Sequence, residues 1–474
     1  MTALRTFHAL PRAAAALLLG LFVSQCDTDT PTAPQLRGPE AAAGGPQPTV
    51  RSTVPSASPR DTSISVLVQG SGFDQGSRAV WALNGDTTAI RTRIHVTTTT
   101  FVSSKELVAD LTIGADAPLD LYDVQVLTSS GKKGIGIERF EVTVNATALP
   151  SLSAQGGGAN AINDAGTVVG SSWDNDRLYA VRWRKHGHIW RVEKLPGAGT
   201  NAALATGAND IAADGTVVGH RFHLDSDDQR PRALVWPISG GVVELGSGLA
   251  LGVNPRGTIV GVRPDNNNSG AQGIQAVIWN RMSARTWAPG QLLPRLPGGH
   301  STQALGINPP GNIIVGDAWD ADDNGYAVKW VLDGTQWRGP IRLDNVGESF
   351  ATLVNASGDI AGGGFPCGNR EECQPQAMFW PANGPRTDLG TLGVYLSVDT
   401  PIGLSNSGEV VGLAFTEDFR EYAYVWRPRA GTVVELNTFI GDYASSANDI
   451  NNHHQAVGFS AGDGGGRAVV WSVR

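Results

Sequence analysis

The chain has 474 residues, with 60 Gly, 27 Pro and 13 Trp against only 3 Met, and 41% of it is hydrophobic. That length holds two or three domains and supplies ample core, while the glycine and proline content points away from a helical protein without reaching the level of a low-complexity chain. The net charge of -8 excludes the basic footprint that nucleic acid or an anionic membrane surface would need.

Arg5 and Arg12 precede an apolar run from Ala13 to Val23, closed by Ser24, Gln25 and Cys26. The run is too short to span a bilayer and reads as a signal peptide over residues 1–25. Cys26 resembles the lipid-acceptor cysteine of bacterial lipoproteins, with Val23, Ser24 and Gln25 in the lipobox positions, although Gln25 departs from the small residue preferred there. The resemblance implies an exported chain held to the cell envelope through lipid, in the periplasm or at the outer membrane or surface. Residues 26–48 carry Pro31, Pro34, Pro39, Pro46 and Pro48 with no apolar periodicity. They form a semi-extended tether reaching up to about 70 Å. The other cysteines, Cys367 and Cys373, have five residues between them and no His nearby. That spacing suits a local disulfide in an oxidising compartment, the alternative being free thiols.

From residue 49 to 147 the chain alternates with period two, as in Ser63–Val68, Leu107–Ile113 and Tyr122–Val126. About 100 residues of such strands suit one β-sandwich. The phrase Val68-Gln69-Gly70-Ser71-Gly72-Phe73, with Gly76, Thr97 to Thr100 and Tyr122-Asp123-Val124, resembles an IPT/TIG domain, an immunoglobulin-like module. That resemblance implies a spacer or binding module in which Phe73 plugs the sandwich.

Residues 148–474 are repetitive. One phrase runs from Ala161-Ile162-Asn163-Asp164-Ala165-Gly166 through Val168-Val169-Gly170 to Ala180-Val181-Arg182-Trp183, and its closing tryptophan returns as Trp236, Trp279, Trp330, Trp380, Trp426 and Trp471. Each repeat holds four β-compatible runs, the unit of a propeller blade. Gly166, Gly215, Gly257, Gly311, Gly358 and Gly408 fall in the hairpin between the first two runs, where His454 stands in the last repeat. The chain stops three residues after Trp471, so the segment Ala148–Leu152 is free to supply the missing fourth strand and close the ring. The expected fold is all-β, an immunoglobulin-like sandwich followed by a seven-bladed propeller. Asp388-Leu389-Gly390-Thr391-Leu392-Gly393 and Leu296-Pro297-Gly298-Gly299, with Tyr179-Ala180-Val181 and Arg467-Ala468-Val469 as degraded His-Ala-Phe elements, resemble HAF repeats. That family implies an exported repeat protein and brings no established activity.

Acidic and polar residues recur between the second and third runs, from Asp174-Asn175-Asp176 to Asp463. Asp320, Asp322 and Asn324 before Gly325 have the spacing that sets alternate oxygens around Ca2+, although Val331 replaces the bidentate Glu of an EF-hand; a solvated turn explains the same residues. Trp173, Asp174 and Trp319 are candidates for ligand binding, the two tryptophans as stacking platforms for a sugar, with packing against a neighbouring blade as the alternative. No nucleophile elbow, zinc spacing or phosphate loop is present. The leading expectation is therefore a non-catalytic propeller that binds a glycan or protein partner. A polysaccharide hydrolase or lyase using Asp174, Asp227 or Asp320 is the second reading, and a purely structural surface or adhesion role the third.

Overall fold

A computed structural model describes residues 47–473, apart from 84, 116, 119, 198–203, 224–229, 266–272, 368–373, 390–396, 416–419, 437 and 440–441. Residues 1–46 with Cys26, and likewise Asp227 and Cys373, lie outside the described residues. Strands dominate, and the single helix among the described residues is the one turn Ala89–Thr92. The chain divides into two compact units at Asn145 and Ala146.

The smaller unit has two four-stranded sheets. One orders Thr49–Val54, Thr62–Ser71, Glu106–Ile113 and Ile94–Ser103; the other orders Ala57–Pro59, Lys133–Thr143, Leu121–Leu127 and Arg78–Ala82. The period-two pattern explains its core, because every second residue of a strand faces the same way. Leu107, Ala109, Leu111 and Ile113 are buried from one sheet and Tyr122, Val124 and Val126 from the other. Trp81 meets Phe140 edge-on with centroids 5.6 Å apart, and Phe73 is buried in the same cluster.

The larger unit is a succession of four-stranded antiparallel sheets, each laid down in chain order. The first contains Gly157–Ile162, Val168–Asp174, Arg177–His186 and Ile189–Lys194. Five more occupy 204–247, 249–292, 302–342, 349–388 and 397–436. The last takes Asp442–Ile450, Gln455–Gly462 and Gly465–Ser472, and draws its fourth strand, Asn145–Ala148, from ahead of the first sheet. Leu149 N–H donates to the Ala468 carbonyl at 2.8 Å, continuing that closure. First strands of neighbouring sheets are hydrogen-bonded side by side. Asn160 Nδ2 donates to Ala208 O, Asn209 Nδ2 to Ala250 O, and Asn448 Nδ2 back to Ala159 O at 2.8 Å. The succession therefore closes into a ring of sheets, the arrangement of a β-propeller.

Two glycine positions have steric causes. Gly166, Gly215, Gly257, Gly311, Gly358 and Gly408 have φ between 74° and 89°, and His454 adopts φ 59° at the equivalent hairpin place. Only Gly enters that region without a Cβ penalty. The second set, including Gly170, Gly219 and Gly458, sits opposite a bulge in the first strand. A Cβ on Gly170 would lie 2.1 Å from Gly158 O, and one on Gly458 would lie 1.8 Å from Ser446 O. The strands are simply too close there for a side chain.

Repeated latches join consecutive sheets. Trp183, Trp236 and Trp330 are buried, and their Nε1–H groups donate to the carbonyls of Pro150, Pro196 and Pro294 in the segments that enter each sheet. The backbone N–H groups of Ala180, Ala276, Ala327 and Ala423, in the third strands, donate to Thr206, Thr302, Ser349 and Ser445 hydroxyls on the next sheet. Such pairing satisfies polar groups that burial between sheets would otherwise leave unpaired.

Candidate functional site

Antiparallel order fixes which loops share an end of the ring. The hairpins between first and second strands lie at one end, and those between second and third strands at the other. A cavity of about 250 Å3 opens at the first of these ends, lined by residues from all seven sheets. Its wall is a collar to which every sheet gives at least one aliphatic residue, running from Ile162 and Ile211 to Leu404 and Ile450. Above the collar come the hairpin residues Asp164, Ala213, Pro255, Pro309, Asn406 and Asn452, all exposed at the mouth.

The mouth is two-sided because the hairpin sequences differ. On one side Asn452 donates its backbone N–H to Asp164 Oδ1 at 2.9 Å and its Nδ2 to Asp164 Oδ2 at 2.8 Å. Asn406 N–H then donates to Asn452 Oδ1, and Ala356 N–H to Asn406 Oδ1. Each link joins one hairpin to the next. The other side is formed by Ala213, Pro255 and Pro309, which carry no polar side chain. Two further carboxylates line the cavity: Asp210 accepts from the Ile211 and Val253 amides at 2.8 Å, and Asp449 accepts from Ile162 N–H at 2.9 Å. Beneath the hairpins, Asn163, Asn355 and Asn451 cap their own turns through Oδ1 and donate Nδ2 to a carbonyl of an adjacent hairpin. These asparagines and aspartates had a signal in the sequence, the recurring phrases Asn-Asp-Ile at 209–211 and 448–450 and Ile162-Asn163-Asp164. Their role was invisible there because each acts on a neighbouring sheet.

The residues singled out from sequence lie at the opposite end and are divided among separate sheets. Asp174 is ion-paired with Lys194, whose Nζ rests 4.1 Å from the centre of the Tyr179 ring. The fourth sheet repeats this arrangement, with Asp320 on Arg342 at 3.3 Å and Arg342 over Tyr326 at 3.6 Å. Trp173 precedes Asp174 in one strand and so faces the other side of the sheet. Trp319 sits over Gly325, where a Cβ would come within 3.2 Å of its Nε1. Trp173, Asp174 and Trp319 are therefore not gathered into one site.

Asp320 acts chiefly as a turn-former. Its Oδ1 accepts from the backbone N–H groups of Asp322 and Asn324 at 3.0 Å and from Asn324 Nδ2 at 3.3 Å, while Oδ2 faces Arg342. Burial works against its ionisation, but those amides and the guanidinium outweigh it and hold the carboxyl below its ordinary range. Asn324 thus turns its amide nitrogen, not its oxygen, toward Asp320. Among the described residues no group of three or more His, Cys, Asp or Glu is placed to hold a metal ion. Cys367 is disulfide-bonded.

Two buried ionisable groups lie elsewhere in the ring, both immediately after the bulge-facing glycine of a second strand. His220 is 4% exposed, its Nδ1 has no partner among the described residues, and burial pushes its pKa down to about 4. Asp317 is 5% exposed, and burial pushes its carboxyl up to about 8. Gln303 Nε2 lies 3.4 Å from Asp317 Oδ2, and Asp317 Oδ1 has no partner among the described residues.

No family model matches this chain, and no curated protein matches its sequence. Among solved structures it is similar to the β-propeller domain of the Trilobed protease from Pyrococcus furiosus, at 11% identity over 83% of this chain and 99% of that one, with a TM-score of 0.39. It is similar to TolB from Acinetobacter baumannii, at 12% identity over 71% of this chain and 87% of that one, TM-score 0.35. A puromycin hydrolase S511A mutant complexed with PGG is similar at 15% identity and TM-score 0.42, covering 68% of this chain; this chain spans only 53% of the hydrolase. At such identities no activity is carried over from any of the three.

Proposed function

We propose that this chain is an exported, lipid-anchored envelope protein in which an IPT/TIG-like sandwich carries a seven-bladed propeller of HAF-type repeats, and that the propeller binds a glycan or protein partner without catalysis. The observation that carries the binding reading is the cavity at the ring centre, to which every sheet contributes. A central cavity with few, fixed polar groups over an apolar wall is the usual form of a small-ligand or side-chain site. Export is supported by the charged start and apolar run of the first 25 residues, and anchoring by Cys26 ahead of a proline-rich tether. The hydrolase reading is weakened because Asp174 and Asp320 are each ion-paired and stand on separate sheets, so the two do not form a carboxylate pair around one bond.

Surface plasmon resonance of the full chain against envelope polysaccharides and surface proteins tests the reading. Saturable binding of at least one of them should fall at least about tenfold in Ala213→Trp, which fills the cavity mouth, and should survive Trp319→Ala at the other end. Binding lost in Trp319→Ala and kept in Ala213→Trp would move the site to the opposite end.

A further inference from the structure

We propose that the ring cavity receives an alkylammonium group, whether from a lysine side chain or from a free aliphatic diamine. The inference rests on the binding reading above and names the chemistry of that same site.

Three independent features converge on a cation with an aliphatic stem. The first is charge: Asp164, Asp210 and Asp449 line the cavity, and among the described residues no Lys, Arg or His does. The second is the hydrogen-bond inventory of the mouth. At its hairpin position Pro255 and Pro309 have no N–H, and the N–H groups of Ala356, Asn406 and Asn452 are each spent on the neighbouring side chain. These five hairpin positions thus offer no free backbone N–H, whereas the carboxylate oxygens of Asp164 accept one bond each and keep a further lone pair. An ammonium carries three donors and no acceptor, the complement of such a surface. The third is the wall. The aliphatic collar suits a methylene stem, and no aromatic residue lines the cavity to stack on a sugar ring. Its volume, about 250 Å3, falls below the usual range for drug-sized ligands and suits a single side chain better than an oligosaccharide.

The fixed orientation of the three carboxylates adds to the argument. Backbone amides of adjoining sheets hold Asp210 and Asp449, and Asn452 holds Asp164 by two bonds, so little side-chain entropy remains to be lost on binding.

Isothermal titration calorimetry of the full chain with 1,5-diaminopentane, Nα-acetyl-lysine methylamide, 1-pentanol and glutarate tests the inference. At least one of the two amines should bind saturably and more weakly at high salt, while the alcohol and the diacid should not bind. Comparison of the diamine with the lysine derivative then separates the two sources. Asp164→Asn should weaken the amine about tenfold, the cost of one charge-assisted contact, and Ala213→Trp should abolish binding. Should Asp164→Asn lower the melting temperature, Ala213→Trp, on an exposed position, carries the test alone. Absence of saturable binding by both amines, indifference to Ala213→Trp, or equal binding of 1-pentanol overturns the ammonium. If the amines fail while partner binding is still lost in Ala213→Trp, this inference falls and the cavity reading stands; if partner binding is indifferent to Ala213→Trp, the cavity reading falls as well.

Discussion

At the scale of single residues, His220 and Asp317 show how burial changes chemistry that residue identity leaves open. Asp317 keeps its proton in the folded state up to about pH 8, whereas the unfolded chain releases it near the ordinary 3.8. The folded protein therefore binds more protons between those values, and stability falls as pH rises through that window. His220 has the opposite sign: the folded imidazole stays neutral down to about 4, the unfolded one protonates near 6.5, and stability is lost as pH falls between them. Between about pH 4 and 6.5 the two slopes oppose each other and nearly cancel, so melting should be almost flat there and fall from about pH 6.5 to 8, where Asp317 acts alone. In a pH series of thermal melts, Asp317→Asn should lose most of the alkaline slope, a difference on the order of a few kcal/mol at pH 8. An unchanged alkaline slope in the variant would assign that dependence to other groups. Nothing in the sequence around Gly316-Asp317-Ala318 sets it apart from the exposed acidic loops, because desolvation comes from the neighbouring strands.

At the scale of the strand and hairpin, the repeated glycines fall into two classes with different energetics. At Gly166, in the hairpin class, the only obstacle is the backbone: it has φ 74°, with no atom nearer than 3.9 Å to an added Cβ. In the bulge class the obstacle is a carbonyl already in the way, 2.1 Å from a Cβ on Gly170. Gly166→Ala should cost about 1–2 kcal/mol, and Gly170→Ala more, with displacement of the paired strand. Urea denaturation of the two variants measures the order, and equal losses would contradict the steric distinction. Both glycine columns were legible in the sequence, and so were the strands Thr62–Ser71 and Glu106–Ile113, from their alternation. The bulge was not, because it is defined by register against a partner. The acidic loops left a cation site and a solvated turn open for a related reason. Asp320-x-Asp322-x-Asn324 has the spacing of a cation loop, yet the turn amides and Arg342, 22 residues downstream, occupy the oxygens of Asp320.

At the scale of the whole molecule, the ring depends on a strand that comes from the far end of its own sequence. Asn145–Ala148 completes the last sheet, and Leu149, 4% exposed, packs in the cluster that joins that sheet to the first. Leu149→Pro removes the N–H given to Ala468 as well as the buried side chain. Hydrogen exchange in that variant should accelerate for Gly465–Ser472 and leave Ile313–Trp319, across the ring, near its wild-type rate. Uniform acceleration would mean that the sheets open only together. Closure also creates the cavity, since its wall takes aliphatic residues from every sheet and exists only when the last sheet meets the first.

By itself the sequence determined the all-β class, the repeat with its tryptophan and glycine columns, and the recurrence of acidic residues in one loop of each repeat. These follow from local rules of alternation, turn geometry and internal repetition, which act over a few residues. Only the tertiary structure decided which carboxylates share one cavity. Asp174 and Asp320, conspicuous in the sequence, are each ion-paired at one end of the ring. Asp164, Asp210 and Asp449, spread over nearly 290 residues, converge at the other end. Convergence of that kind is a property of ring closure and of hydrogen bonds between sheets, and no local pattern encodes it.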